Sequence, residues 1–408
     1  MQKAPNMRTV VRKRADSFWY CQLPNYKIDF EVLSNEDTFT DDCSSVLDKG
    51  FQETDSLPWK ARVIRKEPTV HCPVLGVSKS HPHQCRLNMM FNHAVTDGTN
   101  LRFLNSCLLQ SLNCVLSGLS PDETELGIFE NNKDFEKLLQ ERERKLLEDP
   151  TKINSIRFSL PLLGEEPTLI QSFPRPDVSR PTTSYIRRSV DSLVMKGLLS
   201  KCSQKGVTFN SFSMAVCNVA LAELMREAGS QRDTFKLYIL LFVTSRRYRS
   251  AKKHLIGNYT TSLTYKSEVP RNPRDSFWEY CKRIDSELHS HYKEEGLLLD
   301  QIVVQKMMDA EHGPFNYTDK PRPVSHDYTQ NHMADITKGF AIEGRYVQVM
   351  DVIPYQRIHN FRNALVQEIY TFKGKTSYNF CYADNYFSRE TVNLIADRIF
   401  HLFEVVGK

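Results

Sequence analysis

Phe91-Asn92-His93-Ala94-Val95-Thr96-Asp97-Gly98 is the stretch on which the reading of this 408-residue chain turns. Residues 86–91, just before it, are short and rich in apolar side chains, which predicts a strand. Asp97-Gly98 is a turn signal. Beyond it, Leu101, Phe103, Leu104, Leu108, Leu109 and Leu112 recur at helical spacing, so residues 100–112 predict a helix. His93 is therefore expected on a loop between a strand and a helix, where a rigid scaffold can hold a reactive side chain. A neutral imidazole there can take a proton from a hydroxyl or an amine. Asp97 could orient His93 or fix the turn by pairing elsewhere. Gly98 suits a turn with positive φ. Three fixed residues also fit a histidine that merely satisfies a turn.

Working outward, helices are expected over residues 135–147, 191–203, 208–227 and 276–293, with Thr208 or Asn210 as the cap of the third. A last helix is expected over 388–405, where Val392, Ile395, Ala396, Ile399, Leu402 and Phe403 form one apolar stripe. Strands are expected over 259–266, 346–353, 365–372 and 377–382. Residues 237–244, nearly all apolar and ending at Ser245-Arg246-Arg247, predict a strand buried on both faces. Strands interleaved with helices in both halves give an α/β class, in the form of an α+β sandwich. Pro161, Pro167, Pro174, Pro176 and Pro181 mark a linker. The expected division is a first domain over 1–165, a linker over 166–184 and a second domain over 185–408.

Composition narrows the function. A net charge of +5 with 25% charged residues does not suggest a nucleic-acid partner, although a mildly basic surface suits an anionic donor. The ten cysteines are scattered with no CxxC pair, and no secretory signal or run of 18 apolar residues is found. Reduced thiols, no transmembrane segment, a cytoplasmic location and a monomer are the expectations. His71, Cys72, His81, His83 and Cys85 cluster before the motif, but Pro82 divides them and no zinc spacing is met, so no metal is assigned. Residues 76–80 lack the second glycine of a nucleophile elbow, and no P-loop or GxGxxG occurs.

The run from Phe91 to Gly98 resembles the HxxxDG motif of the chloramphenicol-acetyltransferase-like superfamily, which includes peptide-synthetase condensation domains, plant BAHD acyltransferases and fungal alcohol acetyltransferases. The likeness continues in order along roughly residues 55–405. The helix from Thr208, the apolar strand ending at Arg246, and Gly257-Asn258-Tyr259 before a Thr-rich strand each resemble a family step. Gln330-Asn331 falls where members often carry Ser-Asn, and Tyr382-Ala383-Asp384 resembles the usual ending. Asn92 replaces the first His of HHxxxDG, the plant-type DFGWG run is absent, and Met333 stands where members carry Gly.

The resemblance implies two similarly folded domains with an active-site tunnel at their interface. It makes His93 and Asp97 the catalytic candidates, with His93 as general base. It makes Gly98 and Arg246 structural parts of the motif, Asp97 turning from His93 to pair with Arg246 or Arg247. Asn331 is a candidate substrate contact. The implied reaction moves an acyl group, acetyl for preference, from a coenzyme A thioester to a hydroxyl of a small apolar acceptor. An amine acceptor, a carrier-protein donor or an inactive binding protein are the alternatives. No cofactor is implied beyond coenzyme A as co-substrate.

Overall fold

The computed structural model describes residues 4–14, 17–33, 56–66, 83–124, 133–161, 165–248, 257–293, 295–312, 324–338, 341–359 and 363–407. They form a mixed α/β structure that divides into two compact units. The first comprises Met1–Asn132, Arg246–Tyr259 and Ile336–Val352; the second comprises Lys133–Ser245, Thr260–Asp335 and Ile353–Lys408.

In the first unit, β1 (Thr9–Arg14) and β2 (Ser17–Gln22) pair antiparallel. A separate sheet places β4 (Trp59–Lys66) between β3 (Phe30–Leu33), which is parallel to it, and β5 (Gln84–Phe91), which is antiparallel. Helix α1 (Gly98–Leu116) follows β5. Val95, fully buried in between, packs with Ala4, Met7, Trp59, Phe91 and Leu104, so the motif loop is anchored by its own apolar residue.

Residues 346–353 do not form the expected strand. The first two residues bond a helix instead, while Val349 N donates to Ile342 O at 2.8 Å. Asn113 Oδ1 on α1 accepts from the Tyr346 and Val347 N–H groups at 2.8 and 3.1 Å, and its Nδ2 donates to Val347 O at 3.2 Å. Ser106, seven residues earlier and so on the same helix face, accepts from Ala341 N. A side chain at Gly344 would collide with Asn113, so glycine permits the close approach.

The second unit carries a six-stranded sheet, in the order β6 (Thr183–Val190), β11 (Lys375–Ala383), β10 (Leu365–Phe372), β9 (Tyr328–Asp335), β7 (Phe235–Thr244) and β8 (Thr260–Val269). β9 lies parallel to both its neighbours and the other pairs are antiparallel. Its helices are α2 (Lys133–Leu147), α3 (Pro150–Ser159), α4 (Thr168–Gln171), α5 (Ser192–Lys205), α6 (Phe209–Glu227), α7 (Phe277–Lys293), α8 (Gly296–His312) and α9 (Arg389–Gly407). α6 is buried nearly all round, which is why it is apolar on every side. Thr208 caps it, accepting from Ser211 N, and Asn210 is not the cap. Asp191 caps α5, and Gly206 ends that helix in the left-handed region at φ 69°. The stripe of α9 is buried as its periodicity demands.

β7 departs from expectation on its faces. Phe235, Leu237, Ile239 and Leu241 are buried, while Tyr238, Leu240 and Phe242 are only half-buried and Lys236 is exposed. The period-2 geometry of a strand places the two sets on opposite faces. Residues 166–184 lie within the second unit. There Leu169 and Ile170 are buried, and Leu169 N donates to the buried carboxylate of Asp327 at 2.9 Å. Asp327 also accepts from Tyr238 N, so one side chain fastens α4 to β7.

Candidate active site

His93 occupies the tight loop between β5 and α1, and its side chain is exposed. The loop is held by hydrogen bonds on either side of it. Asn92 Oδ1 accepts from Ala94 N at 2.9 Å, a side chain folding the turn that its own backbone begins. Asn92 O accepts from Val95 N, and Asn92 N donates to Pro58 O. Two distant residues then take the next carbonyls: Tyr20 Oη donates to Ala94 O at 2.7 Å and Asn6 Nδ2 to Val95 O at 3.0 Å. Among the described residues the imidazole itself has no hydrogen-bond partner, and the loop that carries it is braced.

Asp97 does something different. It is buried and caps α1: Oδ1 accepts from Asn100 N at 2.9 Å. Oδ2 accepts from Tyr259 N at 3.2 Å and lies 3.6 Å from Arg246 Nη2. Its oxygens are thus committed to the helix and to the 246–259 segment. Arg246 does not make a fork on the carboxylate. Its Nη2 donates to Asn100 Oδ1 at 2.9 Å, and the guanidinium lies 4.0 Å from the centre of the Tyr259 ring. Asn100 Nδ2 donates in turn to Gly257 O. Asp97, Asn100, Arg246, Gly257 and Tyr259 form one clasp within the first unit. Sequence reasoning treated Asn100 only as the start of a helix. The signal for it was present: a polar residue three positions after an acidic cap, on the first turn, faces the same end of the helix.

Gly98 is corrected. It is the first residue of α1, and it is not among the described glycines with positive φ, which are Gly118, Gly206, Gly229 and Gly374. An added Cβ would meet nothing within 4 Å. The turn is made by Asn92 and the cap by Asp97, so neither backbone nor space asks for glycine here.

Asn331 lies on β9 in the second unit, beside Glu368 of β10 in parallel register. Its amide donates to the Glu368 carboxyl, which is fully buried and which burial pushes up from 4.5 to about 7. After Asn331 the strand bulges. His332 pairs with Ile369 and Asp335 with Thr371, and Ala334 takes φ 53°. Burial also holds the His332 imidazole down at about 4, which makes it a neutral group at ordinary pH.

Three buried cysteines are poor nucleophile candidates. Burial pushes the thiols of Cys202, Cys217 and Cys281 up to about 12. His83 and Cys85 are exposed; Cys43, His71, Cys72, His81 and residues 76–80 lie outside the described residues. Among the described residues no three His, Cys, Asp or Glu side chains are grouped to hold a metal. No single described helix is long and apolar enough to cross a membrane.

No protein-family profile matches the chain and no curated protein matches it in sequence. Solved structures do. It is similar to the trichothecene 15-O-acetyltransferase of Fusarium sporotrichioides, with a TM-score of 0.66 at 12% identity over 98% of this chain and 83% of that one. It is similar to the X-domain from teicoplanin biosynthesis, with a TM-score of 0.62 at 14% identity over 100% and 84%. It is also similar to the epimerization domain from the third module of tyrocidine synthetase B, with a TM-score of 0.62 at 12% identity over 99% and 85%. A sheet and helix order that matches an acetyltransferase and peptide-synthetase domains along nearly the whole chain gives this protein the chloramphenicol-acetyltransferase-like fold.

Proposed function

We propose that this protein transfers an acyl group from a coenzyme A thioester to the hydroxyl of a small acceptor, with His93 as general base. The observation that carries the reading is the contrast within the motif. His93 is exposed on a loop pinned by Asn92, Tyr20 and Asn6, while Asp97 is buried and spent on the helix cap and the clasp. A braced, exposed imidazole with no competing partner among the described residues is arranged to meet a proton from solvent or substrate.

The chemistry needs no covalent intermediate. His93 takes the acceptor's hydroxyl proton as the oxygen attacks the thioester carbonyl, a tetrahedral oxyanion forms, and the C–S bond breaks as its electrons return. The imidazolium then gives its proton to the departing thiolate. General-base assistance contributes about 10² to 10⁴ in rate; positioning of the two substrates and donors to the oxyanion supply the rest. Asp97 and Arg246 belong to the motif's framework in this reading, and Asn331 is its candidate substrate contact. No cofactor takes part beyond the thioester co-substrate.

A second reading takes its support from the peptide-synthetase neighbours: an amine acceptor or a carrier-protein thioester donor. The deciding experiment incubates the protein with acetyl coenzyme A and a panel of alcohols and amines, and reads products by mass spectrometry. Ester or amide that forms with wild type and not with His93→Ala supports acyl transfer. Activity seen only with carrier-bound acyl groups selects the second reading. No turnover with either donor leaves a binding protein of this fold.

A further inference from the structure

The face of the second unit's sheet that carries the half-buried Asn331 includes buried polar side chains beside the apolar Val366 and Cys381. Glu368 of β10 stands between Asn331 of β9 and Asn379 of β11, its partners in register on either side. Glu368 and Asn379 are both fully buried. Asn379 Nδ2 donates to Pro354 O at 2.6 Å, which fixes the amide's orientation and leaves Oδ1 as its other atom. The Glu368 carboxyl receives donors from Asn331 and Gln356. Two buried atoms then remain without a partner: Glu368 Oε2 and Asn379 Oδ1. Both are acceptors. Cross-strand partners have Cβ atoms about 4.5–5.5 Å apart, near enough for their side chains to meet. Buried acceptors left without a donor are costly, and one proton shared between these two cross-strand neighbours resolves both at once.

We infer that Glu368 is held as a neutral carboxylic acid that donates from Oε2 to Asn379 Oδ1, accepts the Asn331 and Gln356 amides on Oε1, and so acts as the positioning residue for Asn331. The direction of its proton affinity agrees, since burial raises it to about 7. The charged and titratable groups around it do not supply a counter-charge. Arg187 of β6, in register with Asn379, donates to Ser377 Oγ and lies 5.7 Å from the centre of the Tyr370 ring, and it is not among the groups that act on the Glu368 carboxyl. Arg357 and His359, on the segment that contains Gln356, bond each other, and His359 bonds Thr183. β9 contributes the uncharged Thr329 and Asn331, with Asp335 only at its end. With one amide proton given to Glu368, Asn331 has a fixed orientation and turns its Oδ1 away from the acid, as an acceptor. Only this last consequence, for substrate contact, rests on the acyl-transfer reading.

The sign of the pH dependence follows. The folded protein binds this proton more tightly than the unfolded chain, so its contribution is complete below about 4.5 and is lost as pH rises through about 7. Glu368→Gln copies the neutral acid: its amide N–H can donate to Asn379 and its oxygen can accept from Asn331. The test is thermal unfolding of wild type, Glu368→Gln and Asn379→Asp from pH 5 to 9, alongside the infrared carbonyl band of a protonated carboxylic acid, assigned by its loss in Glu368→Gln. Glu368→Gln should match wild type at pH 5, exceed it at pH 9 and lack the band. Asn379→Asp should be the least stable and should worsen as pH rises. A Glu368→Gln variant less stable than wild type at pH 9, or a wild type without the band at pH 5, overturns the inference. The infrared measurement on wild type decides it even where a variant does not fold. None of these readouts depends on acyl transfer, so failure here and failure of the proposed reaction are separately visible.

Discussion

Arg246 makes its short hydrogen bond to Asn100, at 2.9 Å, and stands 3.6 Å from Asp97. The motif's acid and the arginine at the end of β7 are therefore joined through a neutral amide more than through direct contact. Arg246 is still about a fifth exposed while Asp97 is nearly fully buried. The ion pair is consequently screened on one side, and its contribution falls below that of a fully buried fork.

A double-mutant cycle on unfolding free energy will show the order of these couplings. Arg246 and Asn100 should couple by about 1.5–3 kcal/mol, the range for hydrogen bonds to charged groups. Arg246 and Asp97 should couple by no more than about 1 kcal/mol. Asp97→Asn should be milder than Asp97→Ala by about 1 kcal/mol, because asparagine can still cap the helix. A larger coupling to Asp97 than to Asn100 would reverse this picture of the clasp.

His93→Ala should lower kcat by at least about 10² and leave the melting temperature at the wild-type value. The side chain is exposed and braces nothing; the loop is held by Asn92, Tyr20 and Asn6. A folded variant with wild-type kcat removes His93 from the chemistry.

Tyr20→Phe tests the brace. It deletes the hydroxyl that bonds Ala94 O and keeps the ring. The bond is exposed, so unfolding should change by less than about 1 kcal/mol. Activity should fall by more than that loss of stability explains, because the imidazole's neighbour loses its tie. Unchanged kcat and KM would make the contact incidental.

Gly98→Ala should be neutral or stabilising by about 0.4–1 kcal/mol, since the position is helical, open and free of positive φ. If turnover collapses while stability holds, the glycine serves the passage of substrate rather than the fold. Ala334→Gly is the opposite case. Ala334 sits at φ 53°, where a side chain costs about 1 kcal/mol, and glycine there should raise the melting temperature.

What the sequence determined by itself was local. The strand before His93, the helix after Asp97 and the stripe of α9 follow from the placing of apolar residues, because local periods are written directly in the chain. The motif run pointed to the fold, and the solved relatives share it. Tertiary structure decided the rest. Residues 346–353 have the composition of a strand, yet the Asn113 side chain takes the backbone groups of Tyr346 and Val347. Gly98 looked like a turn residue until Asn92 and Asp97 were seen to make the turn. Asn6 and Tyr20 reach the carbonyls beside His93 from 89 and 74 residues away, and Asn100 reaches Gly257 from 157. Such pairings leave no periodic trace: a single hydrogen bond needs one polar atom at one place, and only the folded chain says which residues share that place.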